Sequence, residues 1–140
     1  MSKIAIVYWS GTGNTEAMAN AVAEGAKNAG GTVSLLTADA FTADMVGNFD
    51  AIAFGCPAMG AEVLEEDEFE PMFSACAPML AGKAIALFGS YGWGDGEWMR
   101  SWEEDCRTKG ANLVCDSVIC QETPDEEAEE NCRRLGAALV

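Results

Sequence analysis

One junction constrains this chain more than any other feature. The apolar run Lys3–Tyr8 (KIAIVY) passes through Ser10-Gly11-Thr12-Gly13-Asn14-Thr15 into a segment of helical period. An uninterrupted apolar run suits a parallel strand covered on both faces. The helix is expected over residues 14–29, where Ala17, Met18, Ala21, Val22 and Ala26 share a face and Gly30-Gly31 supplies the stop. A strand that turns through glycines into a helix opens a βα unit, and its backbone amides converge where an anion can sit.

The alternation continues to the end of the chain. Thr32–Thr37 reads as a second strand, residues 42–47 as a short helix, and Ala51–Gly55 (AIAFG) as a third strand. An acidic helix over 66–79 precedes a fourth strand at 84–89 (AIALFG). A helix over 95–109 stops at Gly110, and a fifth strand over 113–120 is interrupted by Asp116. Pro124 opens a last helix over 125–139. Five strands alternating with five helices imply an α/β fold: a doubly wound, five-stranded parallel sheet with helices on both faces. The 140 residues, without repeats or linkers, suit a single domain spanning 1–140. In such sheets ligands bind beyond the carboxyl ends of the strands at a switch point, which nominates loops 9–15, 55–62 and 89–97.

Charge narrows the partners. Eight basic against 23 acidic residues give a net charge of −15. That argues against nucleic acid, whose affinity comes from cations on phosphates, and against anionic membranes. The acids cluster as Glu62, Glu65, Glu66, Asp67, Glu68 and Glu70, as Asp95, Glu97, Glu103, Glu104 and Asp105, and as Glu122, Asp125, Glu126, Glu127, Glu129 and Glu130. Either they form a solvated, solubilising face or they steer positively charged partners. No apolar run approaches the roughly 18 residues a membrane span needs, and the N-terminus has no signal-peptide cleavage region, so the expected location is cytoplasmic. Cys56, Cys76, Cys106, Cys115, Cys120 and Cys132 form no C-x-x-C and no iron–sulfur spacing, and read as reduced, inert thiols. The absence of histidine excludes imidazole metal sites and histidine bases.

The first loop can be tested letter by letter. A dinucleotide fingerprint would place a third glycine where Glu16 stands, and a Walker loop would end in Gly-Lys-Ser/Thr, but this loop has no lysine. The side chains of Ser10, Thr12, Asn14 and Thr15 instead supply hydroxyl and amide groups, which can satisfy a phosphomonoester without any cation. A capped glycine-rich turn with no ligand is the competing reading.

Ser-Gly-Thr-Gly-Asn-Thr after an apolar strand resembles the phosphate loop of flavodoxins. Gly55-Cys56-Pro57-Ala58-Met59-Gly60 and Phe88-Gly89-Ser90-Tyr91-Gly92-Trp93-Gly94-Asp95-Gly96 resemble the two loops that enclose the flavin ring in that family. The likeness covers essentially the whole chain and is closest to the short-chain, clostridial type. It implies strand order 2-1-3-4-5 and one non-covalent FMN. The phosphate would lie on Ser10, Gly11, Thr12, Gly13, Asn14 and Thr15. Around the ring the resemblance places Pro57, Ala58, Met59, Gly60, Glu62, Ser90, Tyr91, Gly92, Trp93 and Gly94.

Residue chemistry supports parts of this. Trp93 stands between two glycines, a poor position for a core residue and a good one for a stacking platform. Trp98 and Trp102, four apart on the expected helix, read as core, and Trp9 as packing at the end of the first strand. Met59 alone would read as a gap-filler; the resemblance puts its thioether on the opposite ring face. Glu62 reads equally as part of an acidic block, and the resemblance makes it the acceptor for flavin N3–H. The resemblance also implies a peptide flip at Gly60–Ala61, which a residue without Cβ permits.

The implied function is low-potential one-electron transfer between semiquinone and hydroquinone, from a monomer to flavin- or iron–sulfur-containing oxidoreductases with basic surfaces, without substrate turnover. No catalytic constellation is visible. Cys56 could suggest a tyrosine-phosphatase loop, but Glu62 stands where that loop needs arginine. An FMN-dependent quinone or nitro-compound reductase would need a substrate pocket over the ring, for which no insertion is present. A receiver domain would need an acidic pair after the first strand, where Tyr8-Trp9-Ser10 stand.

Overall fold

The computed structural model describes residues 2–11, 13–59, 64–92 and 96–140. The strands are β1 (Lys3–Tyr8), β2 (Thr32–Thr37), β3 (Ala51–Gly55), β4 (Ala84–Tyr91), β5 (Asn112–Leu113) and β6 (Val118–Gln121). Every pairing is parallel, in the order β2-β1-β3-β4, with β5 and β6 both hydrogen-bonded to the outer side of β4. This is the doubly wound sheet that the alternation of elements implies.

Successive residues of a strand face opposite ways, so each buried strand feeds two cores. Ala5, Val7, Ile52, Phe54, Ile85 and Leu87 pack with α2 (Phe69–Cys76) and α3 (Glu97–Thr108). Ile4, Ile6, Ala53, Ala86 and Phe88 pack with α1 (Asn14–Asn28) and α4 (Glu126–Ala138). Phe54, Phe69, Phe73 and Trp102 make edge-to-face contacts in the first core, with Phe69 and Trp102 centroids 5.5 Å apart. Trp98 and Trp102 are buried, as their spacing predicts.

The α1–α4 crossing depends on two glycines. A Cβ on Gly25 would lie 1.9 Å from the carbonyl oxygen of Arg133, and one on Gly136 would lie 2.0 Å from that of Val22. The two backbones therefore meet with no side chain between them.

Three expectations about element limits are corrected, and the interruption at Asp116 is borne out. Residues 42–47 form no α-helix; a 3₁₀ turn spans Ala43–Asn48. The acidic helix starts at Phe69, not 66, and gives way to a 3₁₀ turn at Ala77–Met79. Pro71 explains the late start, because without an N–H it fits only the first turn. The fourth strand runs on through Gly89 to Tyr91, where Ser90 pairs with Cys120. The fifth strand is interrupted at Asp116 as expected, and its two pieces are out of step with β4: Leu113 pairs with Ile85 and Val118 with Phe88, so five residue steps outside match three on β4. Such a bulge around Asp116 interrupts the ladder at a sheet edge.

Candidate functional site

The carboxyl ends of β1, β3 and β4 open on a cavity of about 280 Å³. It is lined by Gly11 and Asn14 from the first loop, Pro57, Ala58 and Met59 from the second, and Ser90, Tyr91 and Gly92 from the third. The three nominated loops thus meet at one place.

One end of the cavity is a helix N-terminus. Gly13 caps α1 with φ 94°, and among the described residues no side chain caps the helix. The first-turn amides of this 15-residue helix are therefore left open by the described residues, and its dipole favours negative charge there. Ser10 Oγ accepts from the Gly13 N–H at 3.0 Å, which holds the turn closed. Thr15 is almost wholly buried behind the turn, its hydroxyl 3.1 Å from that of Ser90, so it anchors a wall residue and is not itself on the wall. Asn14 Oδ1 accepts from the Thr123 hydroxyl at 3.4 Å, which leaves the amide NH₂ as the group to present to a ligand. Glu16, in the place of a fingerprint glycine, accepts from the Tyr8 hydroxyl at 3.2 Å.

The rest of the wall is largely apolar, from Pro57, Ala58, Met59, Tyr91 and Trp9, with Glu122 beside them; sequence reasoning did not assign Trp9 and Glu122 to the site. Trp9 does pack at the end of β1, as expected, but its ring also lies over Gly11, where a Cβ would stand 3.0 Å from it. Its place immediately before the turn was the available signal. Glu122 follows β6, whose true end at Gln121 makes the next residue part of a further carboxyl-end loop. Its backbone is left-handed, φ 58°, and its N–H donates to Tyr91 O at 2.7 Å. Glu122→Asn, which tolerates this φ better, is expected to raise stability by roughly 0.5–1 kcal/mol in thermal unfolding, and Glu122→Val to lower it. Equal melting temperatures for both variants would show that this backbone stores no strain.

Thr12, Gly60, Glu62, Trp93 and Gly94 lie outside the described residues, as does the Gly60–Ala61 peptide. Glu65, read from sequence as part of a solvated or steering block, is 5% exposed. Burial pushes its carboxyl up, but amide hydrogen bonds from Phe69, Glu68 and Asp67 outweigh this and hold it below the usual carboxylate range. The cysteines carry high thiol pKa values through burial: Cys56, Cys106 and Cys132 are pushed up to about 12, Cys76 and Cys120 to about 11. At neutral pH these thiols stay protonated and unreactive.

The donor set fits a monophosphate carrying a flat ring system. Amides, a hydroxyl-bound turn and the Asn14 amide would suit an anion, and no lysine or arginine is among the described residues lining the cavity. The aromatic and aliphatic wall would suit a ring system.

Comparison with known proteins agrees. The flavodoxin family profile matches residues 6–136. The flavodoxin of Megasphaera elsdenii is 47% identical over 98% of both chains, and that of Clostridium beijerinckii is 48% identical over 96% of this chain and 97% of its own. The solution structure of two-electron reduced Megasphaera elsdenii flavodoxin superposes with a TM-score of 0.90 over 97% of each chain. With the sheet order, the glycine-capped helix and the apolar cavity already in place, this likeness settles the family: the chain belongs to the flavodoxins, FMN-binding electron carriers.

Proposed function

We propose that this chain is a low-potential one-electron carrier whose FMN works between its one-electron-reduced and fully reduced forms. The observation that carries this reading is a helix N-terminal turn with no lysine or arginine among the described residues lining its cavity, opening on an apolar slot in a chain of net charge −15. In the proposal Ser10, Gly11, Thr12, Gly13, Asn14 and Thr15 hold the phosphate, Thr15 through Ser90. Pro57, Ala58, Met59, Gly60, Glu62, Ser90, Tyr91, Gly92, Trp93 and Gly94 enclose the ring. FMN supplies the redox chemistry, and the protein binds it, orients it and sets its electrostatic surroundings.

The surroundings set the direction of tuning. A fixed negative charge about 10 Å away at an effective dielectric of about 20 opposes added negative charge by about 1–2 kcal/mol before screening. At about 59 mV per 1.4 kcal/mol, a few such charges lower the last one-electron potential by on the order of 100 mV. Reductive titration of the purified holoprotein at neutral pH is expected to show two separate one-electron steps, the second at low potential. A single two-electron step near that of free FMN would overturn the proposal.

The partners in this reading are flavin- or iron–sulfur-containing oxidoreductases with basic surfaces, met in the cytoplasm by a monomeric, single-domain chain that turns over no substrate itself. Electron transfer to a basic partner is then expected to slow at least tenfold between low and high salt, because charges more than about 8 Å apart are screened at physiological ionic strength. A salt-independent rate in stopped-flow mixing would leave the acidic surface a solubilising one. Direct turnover with NADH would point to the reductase reading.

A further inference from the structure

The buried carboxylate of Glu65 meets no partner at the surface, because it is out of solvent and hydrogen-bonded through both oxygens. Its Oε1 accepts from the amides of Glu68 (2.7 Å) and Phe69 (2.8 Å), and its Oε2 from that of Asp67 (2.8 Å). Its own N–H donates to Cys56 Sγ at 3.4 Å, which ties the turn to the end of β3. Burying a charge is costly unless it is hydrogen-bonded, and three amides on one carboxylate meet that condition. The turn so fixed carries Glu68, whose Oε1 accepts from Trp9 Nε1 at 3.2 Å. Trp9 in turn forms part of the cavity wall and covers Gly11 of the phosphate turn.

These contacts make one continuous path from a buried charge to the cavity, through described residues only. We infer that Glu65 is a positioning residue for the cofactor cavity, acting through Glu68 to hold the Trp9 indole over the phosphate turn. A capping role for α2 alone would also use the three amides. It would not need Glu68 to reach Trp9.

The inference rests on the flavin-binding reading, and the experiment keeps the two apart. FMN dissociation constants would be measured by fluorescence quenching at a temperature well below unfolding. The native chain, Glu65→Gln, Glu68→Ala, Glu68→Gln and the Glu65→Gln/Glu68→Ala double variant would be compared. Glu65→Gln keeps the shape but turns an N–H donor toward an amide, and Glu68→Ala removes only an exposed acceptor. Each is expected to weaken FMN binding about fivefold, with the double variant little weaker than either, since both break one path. Glu68→Gln retains an acceptor oxygen and should bind like the native chain. Native affinity in Glu68→Ala, or effects that multiply in the double variant, would overturn the inference. A Glu65→Gln variant that only melts lower would overturn it as well. If Glu65→Gln does not fold, the two Glu68 variants decide. Absence of FMN binding by the native chain would instead overturn the parent reading.

Discussion

Gly25→Ala is expected to lower stability by about 3 kcal/mol, or roughly 10 °C in melting temperature, although alanine is the better helix former. In an exposed helix interior the same change gains up to about 1 kcal/mol, so even the sign is diagnostic. The added methyl would meet the Arg133 carbonyl at 1.9 Å, and backbone cannot swing aside as a side-chain end can. α1 and α4 would have to separate, opening the core that contains Met18, Val22, Cys132 and Leu135. Gly136→Ala breaks the same crossing from the other side, against the Val22 carbonyl. The double variant should therefore lose less than the sum of the two, because helices already forced apart have room for the second methyl. A raised melting temperature for Gly25→Ala would mean that the helices cross at a greater distance. The consequence reaches the cavity, since α1 carries the glycine-rich turn on its N-terminus.

How much of this was legible in the sequence depends on the range of the forces involved. The apolar runs of β1, β3 and β4 announced themselves because strands buried on both faces leave no polar position to blur the pattern. The three site loops followed from topology, and the structure brings Gly11, Asn14, Pro57 and Ser90 to one cavity accordingly. What failed was set by single local or long-range contacts. Pro71 moved a helix start by three residues, and Gly89 passed for a strand end although β4 continues beneath it, its backbone close to the Cys56 carbonyl. Asp116 announced the break in the fifth strand, but the bulge it makes, five residue steps against three on β4, exists only relative to the neighbouring strand. Glu65 was hidden for a similar reason. Five acidic neighbours made it look like surface, and only the turn at Asp67, Glu68 and Phe69 folds amides around that one carboxylate.

Asn14→Asp is expected to weaken FMN binding by two to three orders of magnitude while leaving riboflavin binding nearly unchanged. Asn14 lines the cavity at the first position of α1, and its Oδ1 is engaged by the Thr123 hydroxyl. The group it offers to a phosphate is therefore an N–H donor, and a hydrogen bond to a charged partner is worth about 1.5–3 kcal/mol. Aspartate keeps the acceptor for Thr123, loses the donor and adds a negative charge. At about 5 Å from the phosphate and an effective dielectric of about 20, that charge costs roughly 3 kcal/mol for each unit it faces, less whatever solvent screens. The same substitution should leave the apoprotein intact or raise its stability by a few tenths of a kcal/mol, because a carboxylate in the first turn suits the helix dipole. That opposition separates the binding effect from any damage to the fold. Riboflavin has the ring and lacks the phosphate, so it reports on the flat wall alone. A parallel loss for FMN and riboflavin would place Asn14 at the ring end of the cavity, and unchanged FMN affinity would remove it from the phosphate site altogether. Thr123→Val provides the internal check. Without its hydroxyl the Asn14 amide is free to turn, and FMN affinity should fall only a few-fold, in the same direction and again without effect on riboflavin.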